Sequence, residues 1–454
     1  MRRITRNLAN LYDFHLCKYD PATGQIEHFT KPQPEPESVV RLPYNNVVRY
    51  LRIRHGLKFI ISKEDLSVFD VIDLMKSYMT LKDCDFSALE QIVNEDPTLI
   101  SLIKRVADLA LILSHSFPAI PFLRKNSNES VTLSQKQASI VLANAFFLTF
   151  EESRDKYGRS DCINMTRWFS SKTRNAKQKL LCIFAYFRYV TSHDLLGTVT
   201  ILRQSLPSSL NFSLYDGPVC DIFVDSTTKI EEVKDADQAV FANARVGGGV
   251  MRSGCVQEEI RYLIAPEALI SCMVCERMES NEAVVIIGPE DYSTYTGYGD
   301  SFKWLPLEKE EEMLRDQLGH SCTTLIVMDA VNYSNRDNQF EFRFLDRELR
   351  KAFIAFSIRV NDHIKVASGN WGCGAFNGNH QLKFIIQLIA ASAAGRTLSY
   401  HTFGNERLAQ EVQKFHSTLK QHQVTVDTLY EALISADPDI AKDPFEYLIS
   451  KTCT

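Results

Sequence analysis

The 454-residue chain has no run approaching the roughly 18 uninterrupted apolar residues of a membrane-crossing helix. Its first residues, Met1-Arg2-Arg3-Ile4-Thr5-Arg6, lack the apolar core of a secretory leader. The expectation is a soluble, non-secreted protein with no membrane partner. Paired cysteine spacing is also missing: there are 11 cysteines, an odd number at no regular interval, which speaks against a disulfide framework and for a reducing compartment. The one close pair, Cys272 and Cys275, has no second CxxC and sits in an apolar, helix-like stretch, so it reads as helix packing rather than a zinc site. The histidines are dispersed, and neither metal nor cofactor is expected. An excess of positive charge is absent as well. A formal net charge of -5 argues against nonspecific nucleic-acid binding through a basic surface, so direct nucleic-acid binding is not expected and any polyanion must be recognised locally. The basic run Arg49, Arg52, Arg54, His55 and Lys58 is either such a local patch or a solvated helix face, and the solvated face is favoured. Internal repeats and low-complexity tracts are not seen.

What is present is the composition of a folded chain, with 45% hydrophobic and 24% charged residues, and a length that suits two domains. Residues 1–194 read as a mainly helical accessory region, with loops at Lys31-Pro32-Gln33-Pro34-Glu35-Pro36-Glu37 and at Lys125 to Ser130. Its clearest helix runs from Ser134 to Phe150, where Ser134 and Gln137 form a capping box ahead of Ile140, Val141, Ala145 and Leu148. Over residues 195–454 the pattern becomes short β-branched runs between loops and helices: Leu195 to Ile201, Asp221 to Val224, Val284 to Ile287, Thr324 to Met328, Ile364 to Ala367 and Thr397 to Tyr400, with an apolar helix over Gln381 to Ala394. Alternation of this kind predicts an α/β domain whose sheet is covered on both faces.

The most informative segment runs from Gly247-Gly248-Gly249 to Gln257-Glu258-Glu259-Ile260. Consecutive glycines leave the backbone amides unobstructed, and a helix start follows, which suits a diphosphate seat or, more simply, a flexible loop. Glu258 and Glu259 are helix neighbours, so their side chains diverge by roughly 100° and different roles are expected of them. Acidic residues near a helix start also complement its dipole without any further function.

Gly247-Gly248-Gly249, six residues and then Val256-Gln257-Glu258-Glu259 resembles the signature of poly(ADP-ribose) glycohydrolases. Further blocks in the family's order are Leu133-Ser134-Gln135 with Leu142 to Phe147, Tyr295-Thr296-Gly297-Tyr298, Asn370-Trp371-Gly372-Cys373-Gly374-Ala375-Phe376 and Thr402-Phe403-Gly404, so the resemblance spans roughly residues 130 to 430. It implies a macrodomain-like mixed sheet flanked by helices, joined to the helical accessory domain. It also implies that Glu259 is the catalytic acid and base, Glu258 and Asn243 hold the ribose being cleaved, and Gln257 binds substrate. Ile230 and Glu231 resemble the pair that meets adenine, Tyr298 the tyrosine that closes over the diphosphate, and Phe403 the aromatic that stacks near adenine. The run Asn370 to Phe376 resembles the second diphosphate loop, and its glycines at 372 and 374, fed by the Ile364 to Ala367 strand, agree with that reading; Phe376 and Phe403 read otherwise as core aromatics.

One departure is plain: the family pattern has an acidic residue three positions before the asparagine, whereas this chain reads Val240-Phe241-Ala242-Asn243, with Asp237 the nearest acid. The resemblance implies that Glu259 protonates the departing 2′-oxygen and then activates water, releasing ADP-ribose from poly(ADP-ribose). Poly(ADP-ribosyl)ated proteins would be partners, in nucleus and cytoplasm and in the DNA damage response. Two rivals use the same fold: a catalytically weak ADP-ribose reader, which Val240 supports and the two glutamates oppose, and a hydrolase of small ADP-ribose derivatives.

Overall fold

The computed structural model describes residues 18–20, 25–27, 39–40, 42–79, 84–117, 119–150, 163, 165–206, 210–308, 314–359 and 364–453. The segments Met1 to Arg6 and Lys31 to Glu37 lie outside them. Twelve strands are described: β1 (Lys18–Asp20), β2 (Gln25–Glu27), β3 (Glu129–Ser134), β4 (Thr198–Ser205), β5 (Ile222–Asp225), β6 (Ala236–Ala242), β7 (Glu282–Ile287), β8 (Ser293–Thr296), β9 (Lys303–Pro306), β10 (Thr324–Asp329), β11 (Lys365–Gly369) and β12 (Thr397–His401). Eight of these build one sheet in the order β3-β4-β7-β10-β6-β11-β12-β5. The half from β3 to β10 pairs antiparallel, and β10, β6, β11, β12 and β5 are parallel.

The fully buried β7 and β10 are near-continuous runs of Val, Ile and Leu, as strands covered on both faces must be. Strands also form at the other four runs expected from sequence, displaced by one to a few residues at their ends. Two sheet strands were not expected. β3 takes over the end of the Lys125 to Ser130 loop and makes the segment before residue 195 the edge of the sheet. β6 is central yet reads Ala-Asp-Gln-Ala-Val-Phe-Ala, a poor strand sequence. It is tolerated because tertiary partners satisfy its polar side chains: Asp237 is bonded by the buried Arg396, and Gln238 receives Arg261 and donates to the carbonyls of Glu231 and Val233.

One face of the sheet shares a continuous core with the helices Val47–Ser62, Val68–Tyr78, Leu99–Leu111, Gln135–Phe146 and Ala176–Val190. The other is covered by Phe342–Ser357 and His380–Ala393, with Glu406–Gln421, Val426–Ile434 and Pro444–Thr452 outside them. The capping box at Gln135–Phe146 forms: Gln137 N donates to Ser134 Oγ (3.1 Å), and Ser134 N donates to Gln137 Oε1 (3.0 Å). That helix stops at Phe146, before the left-handed Leu148 (φ 55°). On Val47–Ser62 the basic run divides: Arg52, His55 and Lys58 face solvent, while Arg49 bonds the carbonyls of Tyr78, Leu148 and Thr149. Among the described residues no helix is long and apolar enough to cross a membrane.

Candidate active site

The carboxyl ends of the parallel strands define one edge of the sheet, where open α/β sheets bind their ligands. Asn243 follows β6, Asp329 ends β10, Asn370 follows β11, Phe403 lies just beyond β12, and Ile230 and Glu231 follow β5. Segments distant in sequence therefore meet because their strands are parallel neighbours.

The helix Gln257–Ile264 supplies the carboxylates. Their divergence appears as two separate cradles. Glu258 turns toward the end of β6, accepting from Asn243 N (2.9 Å) and Gly247 N (2.7 Å). Glu259 turns toward the glycine turn, accepting from Gly249 N (2.8 Å) and, across its own helix start, from Val256 N (2.9 Å). Both are nearly buried. Burial lifts the Glu258 carboxyl well above the ordinary carboxylate range; the Asn243 and Gly247 amides oppose that shift, and the charges of Glu259 and Asp329 add to it.

The glycine run differs from a free diphosphate seat. Gly247 N and Gly249 N are committed to the two carboxylates, and Gly248 N donates to the Arg245 carbonyl (3.1 Å). Gly247 and Gly248 adopt left-handed φ values of 89° and 50°, and a Cβ on Gly248 would lie 2.5 Å from Glu258 Oε2 and 2.7 Å from Glu259 Oε1. The glycines are needed because the carboxylates occupy the space of a side chain. In the second loop, by contrast, the amides of Gly372, Gly374, Ala375 and Phe376 have no acceptor among the described residues, and Gly374 and Ala375 are exposed. An anion finds open donors there.

Gln257 is turned inward, its Oε1 accepting from Phe241 N (2.8 Å) and its Nε2 donating to the Ala239 carbonyl (3.0 Å), so it ties the helix start to β6. Tyr298, in the turn between β8 and β9, lays its hydroxyl against Gln257 N (3.0 Å) and its ring 5.2 Å from that of Phe403. Burial raises the Tyr298 phenol above its usual value. Phe403 is 64% exposed with φ 53°, an unusual state for an aromatic, and so is not a core residue. Tyr295 donates its hydroxyl to Glu231, and Ile230 is buried beside them. Asn370 donates to the Thr402 carbonyl (3.1 Å) and accepts from the Tyr400 hydroxyl (3.2 Å), joining the second loop to the Phe403 turn.

The remaining residues of that loop differ in exposure. The Trp371 ring is fully buried, its Nε1 donating to the Met328 carbonyl (3.2 Å), so only its backbone faces the loop. Cys373 is half-buried, and Phe376 is half-buried against the core. Val240 is fully buried with Ala242 in the core on the helical-region side, whereas Asp237, three residues away along an alternating strand, points to the opposite face and pairs with Arg396. Asp237 thus does not stand in for an acid at position 240. Cys272 packs against Gly247, and among the described residues no group of three His, Cys, Asp or Glu side chains is placed to hold a metal ion.

Sequence reasoning passed over two side chains that meet the loop after the glycine run, residues 250–254, from the helical region. Trp168 Nε1 donates to the Val250 carbonyl (2.8 Å), and Lys179 Nζ donates to the carbonyls of Val250, Arg252 and Gly254. The available signal was a lysine on the apolar stripe of an amphipathic helix, among Ala176, Leu180 and Ile183.

Residues 94–203 match the helical-domain model and residues 210–410 the macro-domain-fold model of poly(ADP-ribose) glycohydrolase. The chain is similar to poly(ADP-ribose) glycohydrolase 1 of Caenorhabditis elegans, 33% identical over 347 residues that make up 72% of this chain and 43% of that protein. It is 30% identical to poly(ADP-ribose) glycohydrolase 2 of the same organism, over 78% of this chain and 74% of that one. With Arabidopsis thaliana poly(ADP-ribose) glycohydrolase 1 it shares 28% identity over 76% of each chain. It thus spans less than half the length of the first relative and about three quarters of the other two. A mixed sheet flanked by helices, a helical domain packed on it and these matches agree: the chain belongs to the poly(ADP-ribose) glycohydrolase family.

Proposed function

We propose that the chain hydrolyses the ribose–ribose O-glycosidic bonds of poly(ADP-ribose) and releases ADP-ribose, with Glu259 as the proton-transfer group. The observation that carries this reading is the placement of Glu259: its carboxyl is fixed by the Gly249 and Val256 amides beside the loop carrying Asn243, while Gln257 N, two residues before it, is bonded by Tyr298. Departure of a sugar hydroxyl needs a proton, and the ribose left behind takes on oxocarbenium character. Protonated Glu259 gives its proton to the leaving 2′-oxygen as the bond from that oxygen to the anomeric carbon breaks. The resulting carboxylate then takes a proton from water as the water oxygen bonds to the anomeric carbon, returning Glu259 to its starting form.

Glu258 and Asn243 hold the ribose, and the diphosphate rests on the open amides of Gly372, Gly374, Ala375 and Phe376 beneath Tyr298. Adenine lies by Ile230, Glu231 and Phe403. Binding energy gathered along this edge positions the scissile bond against Glu259. Poly(ADP-ribosyl)ated proteins are the natural carriers of such a substrate, which places the activity in polymer turnover in nucleus and cytoplasm and in the DNA damage response.

The test is incubation of the purified chain with poly(ADP-ribose), following release of ADP-ribose while ADP-ribose binding is measured separately. Release of free ADP-ribose is expected. Binding without turnover would leave an ADP-ribose reader and make Val240 the first residue to exchange.

A further inference from the structure

Lys179, on the helix Ala176–Val190, is fully buried, and among the described residues it has no carboxylate within ion-pair distance. All three of its ammonium hydrogens have backbone acceptors: the carbonyls of Val250 (2.8 Å), Arg252 (2.8 Å) and Gly254 (2.7 Å). Those carbonyls belong to one tight turn, closed by Arg252 N and Gly254 N donating to the Gly249 carbonyl at 2.8 and 3.1 Å. The opposite side of the same turn forms the wall of Glu259. Gly249 N donates to Glu259 Oε1, and a Cβ on Gly254 would lie 2.7 Å from that oxygen. The turn is therefore held between an ammonium behind and a carboxyl in front. Three carbonyl dipoles converging on one point repel one another unless a cation stands there, and at Gly249 and Gly254 the backbone is free to rotate away.

We infer that Lys179 is a positioning residue for glycoside cleavage: by gathering the carbonyls of the turn from Val250 to Gly254 it fixes the Gly249 amide and the orientation of the Glu259 carboxyl. The inference rests on the reading of Glu259 as the proton-transfer group. It makes the helical region part of the reacting unit through a residue that touches no substrate. Burial holds the Lys179 ammonium down at about 8, against the opposing influence of Cys255, Glu259 and Cys182. The other face toward it is the Trp168 ring, 5.9 Å from Nζ. Burial pushes the Cys182 and Cys255 thiols up to about 12 and about 11, so both stay neutral while Lys179 titrates.

The experiment compares the full chain with Lys179→Met, Lys179→Arg and Trp168→Phe, reading kcat and KM on poly(ADP-ribose), ADP-ribose Kd and melting temperature. Lys179→Met is expected to lower kcat by about 30-fold or more while ADP-ribose Kd moves less than about threefold, because orientation and not binding is lost. Lys179→Arg keeps donors and a permanent charge, so part of the activity lost in Lys179→Met returns. Should Lys179→Met fail to fold, Lys179→Arg and Trp168→Phe decide the matter: a kcat loss without a change in Kd supports the inference, and kcat within about threefold of the parent in both overturns it. The inference is overturned if Lys179→Met keeps kcat within about threefold of the parent, or if kcat and binding fall together. A parent chain with no turnover at all sinks the glycohydrolase reading and this inference with it, whereas a parent and a Lys179→Met that turn over equally well sink the inference alone.

Discussion

Gly248→Ala offers the sharpest perturbation of the carboxylate pair. Its added Cβ would lie 2.5 Å from Glu258 Oε2 and 2.7 Å from Glu259 Oε1. Ordinary nonbonded contacts of carbon lie near about 3.5 Å, so one or both carboxylates must retreat by roughly 1 Å. Each is tethered by two backbone amides, so retreat breaks or lengthens a bond from Asn243, Gly247, Gly249 or Val256. A displacement of about 1 Å at a reacting group costs on the order of 10²-fold in rate. The left-handed φ of 50° at this position adds about 1–2 kcal/mol of backbone strain once a Cβ is present. Gly395→Ala is the control: Gly395 is also left-handed, at φ 64°, but its Cβ would meet only the guanidinium of Arg359. Urea unfolding should show the backbone-strain loss in both variants, with a further loss in Gly248→Ala from the disturbed carboxylate bonds, while poly(ADP-ribose) turnover falls about 100-fold in Gly248→Ala alone. Turnover in Gly248→Ala within about threefold of the parent, or an equal loss in Gly395→Ala, would refute the steric argument.

Asp237→Ala strands the buried Arg396 guanidinium and should cost about 3–5 kcal/mol in urea unfolding. Because Asp237 faces away from the site, kcat of the folded enzyme should stay within about threefold; a large kcat loss at unchanged stability would place Asp237 in the chemistry. For Glu258 the sign follows from its raised folded-state carboxyl: between the unfolded value, near about 4.5, and the folded one, the native chain holds the extra proton, so this group's contribution to stability declines as pH rises. Glu258→Gln lacks that decline, so its stability relative to the parent should grow as pH rises above the unfolded carboxyl value, and parallel urea midpoints would refute the assignment. Phe403→Ala removes an exposed ring 5.2 Å from Tyr298 and should weaken ADP-ribose binding by about 1–3 kcal/mol in calorimetry, leaving kcat nearly intact. Unchanged affinity would move adenine elsewhere.

Periodicity revealed the strands whose stability is local in character, such as Val284 to Ile287 and Thr324 to Met328, where β-branched runs have no other good use. It did not reveal β6, because Asp237 and Gln238 look like loop residues until Arg396 and Arg261 arrive from elsewhere in the chain. The spacing from Gly247 to Glu259 was legible, and so was the divergence of two adjacent helical glutamates. The direction of the amides was not: Gly247 N and Gly249 N face the carboxylates, a fact set by left-handed φ values that composition does not encode. Trp371 shows the same limit, since a conspicuous loop aromatic proves to be a core ring bonded to Met328. Lys179 lies at the far end of that scale. Only the folded chain shows that a lysine in an apolar stripe meets three carbonyls of a turn some seventy residues away.

The most direct test of the central claim is Glu259→Gln, assayed for poly(ADP-ribose) turnover and, on the same preparation, for ADP-ribose affinity. Glutamine keeps the shape and one carbonyl acceptor for the Gly249 or Val256 amide but carries no proton to give. Loss of a general acid and base predicts a fall in kcat of about 10²- to 10⁴-fold with ADP-ribose Kd close to the parent's. A variant that turns over at a rate near the parent's, with binding intact, would contradict the assignment of Glu259 and move the proton transfer to another group.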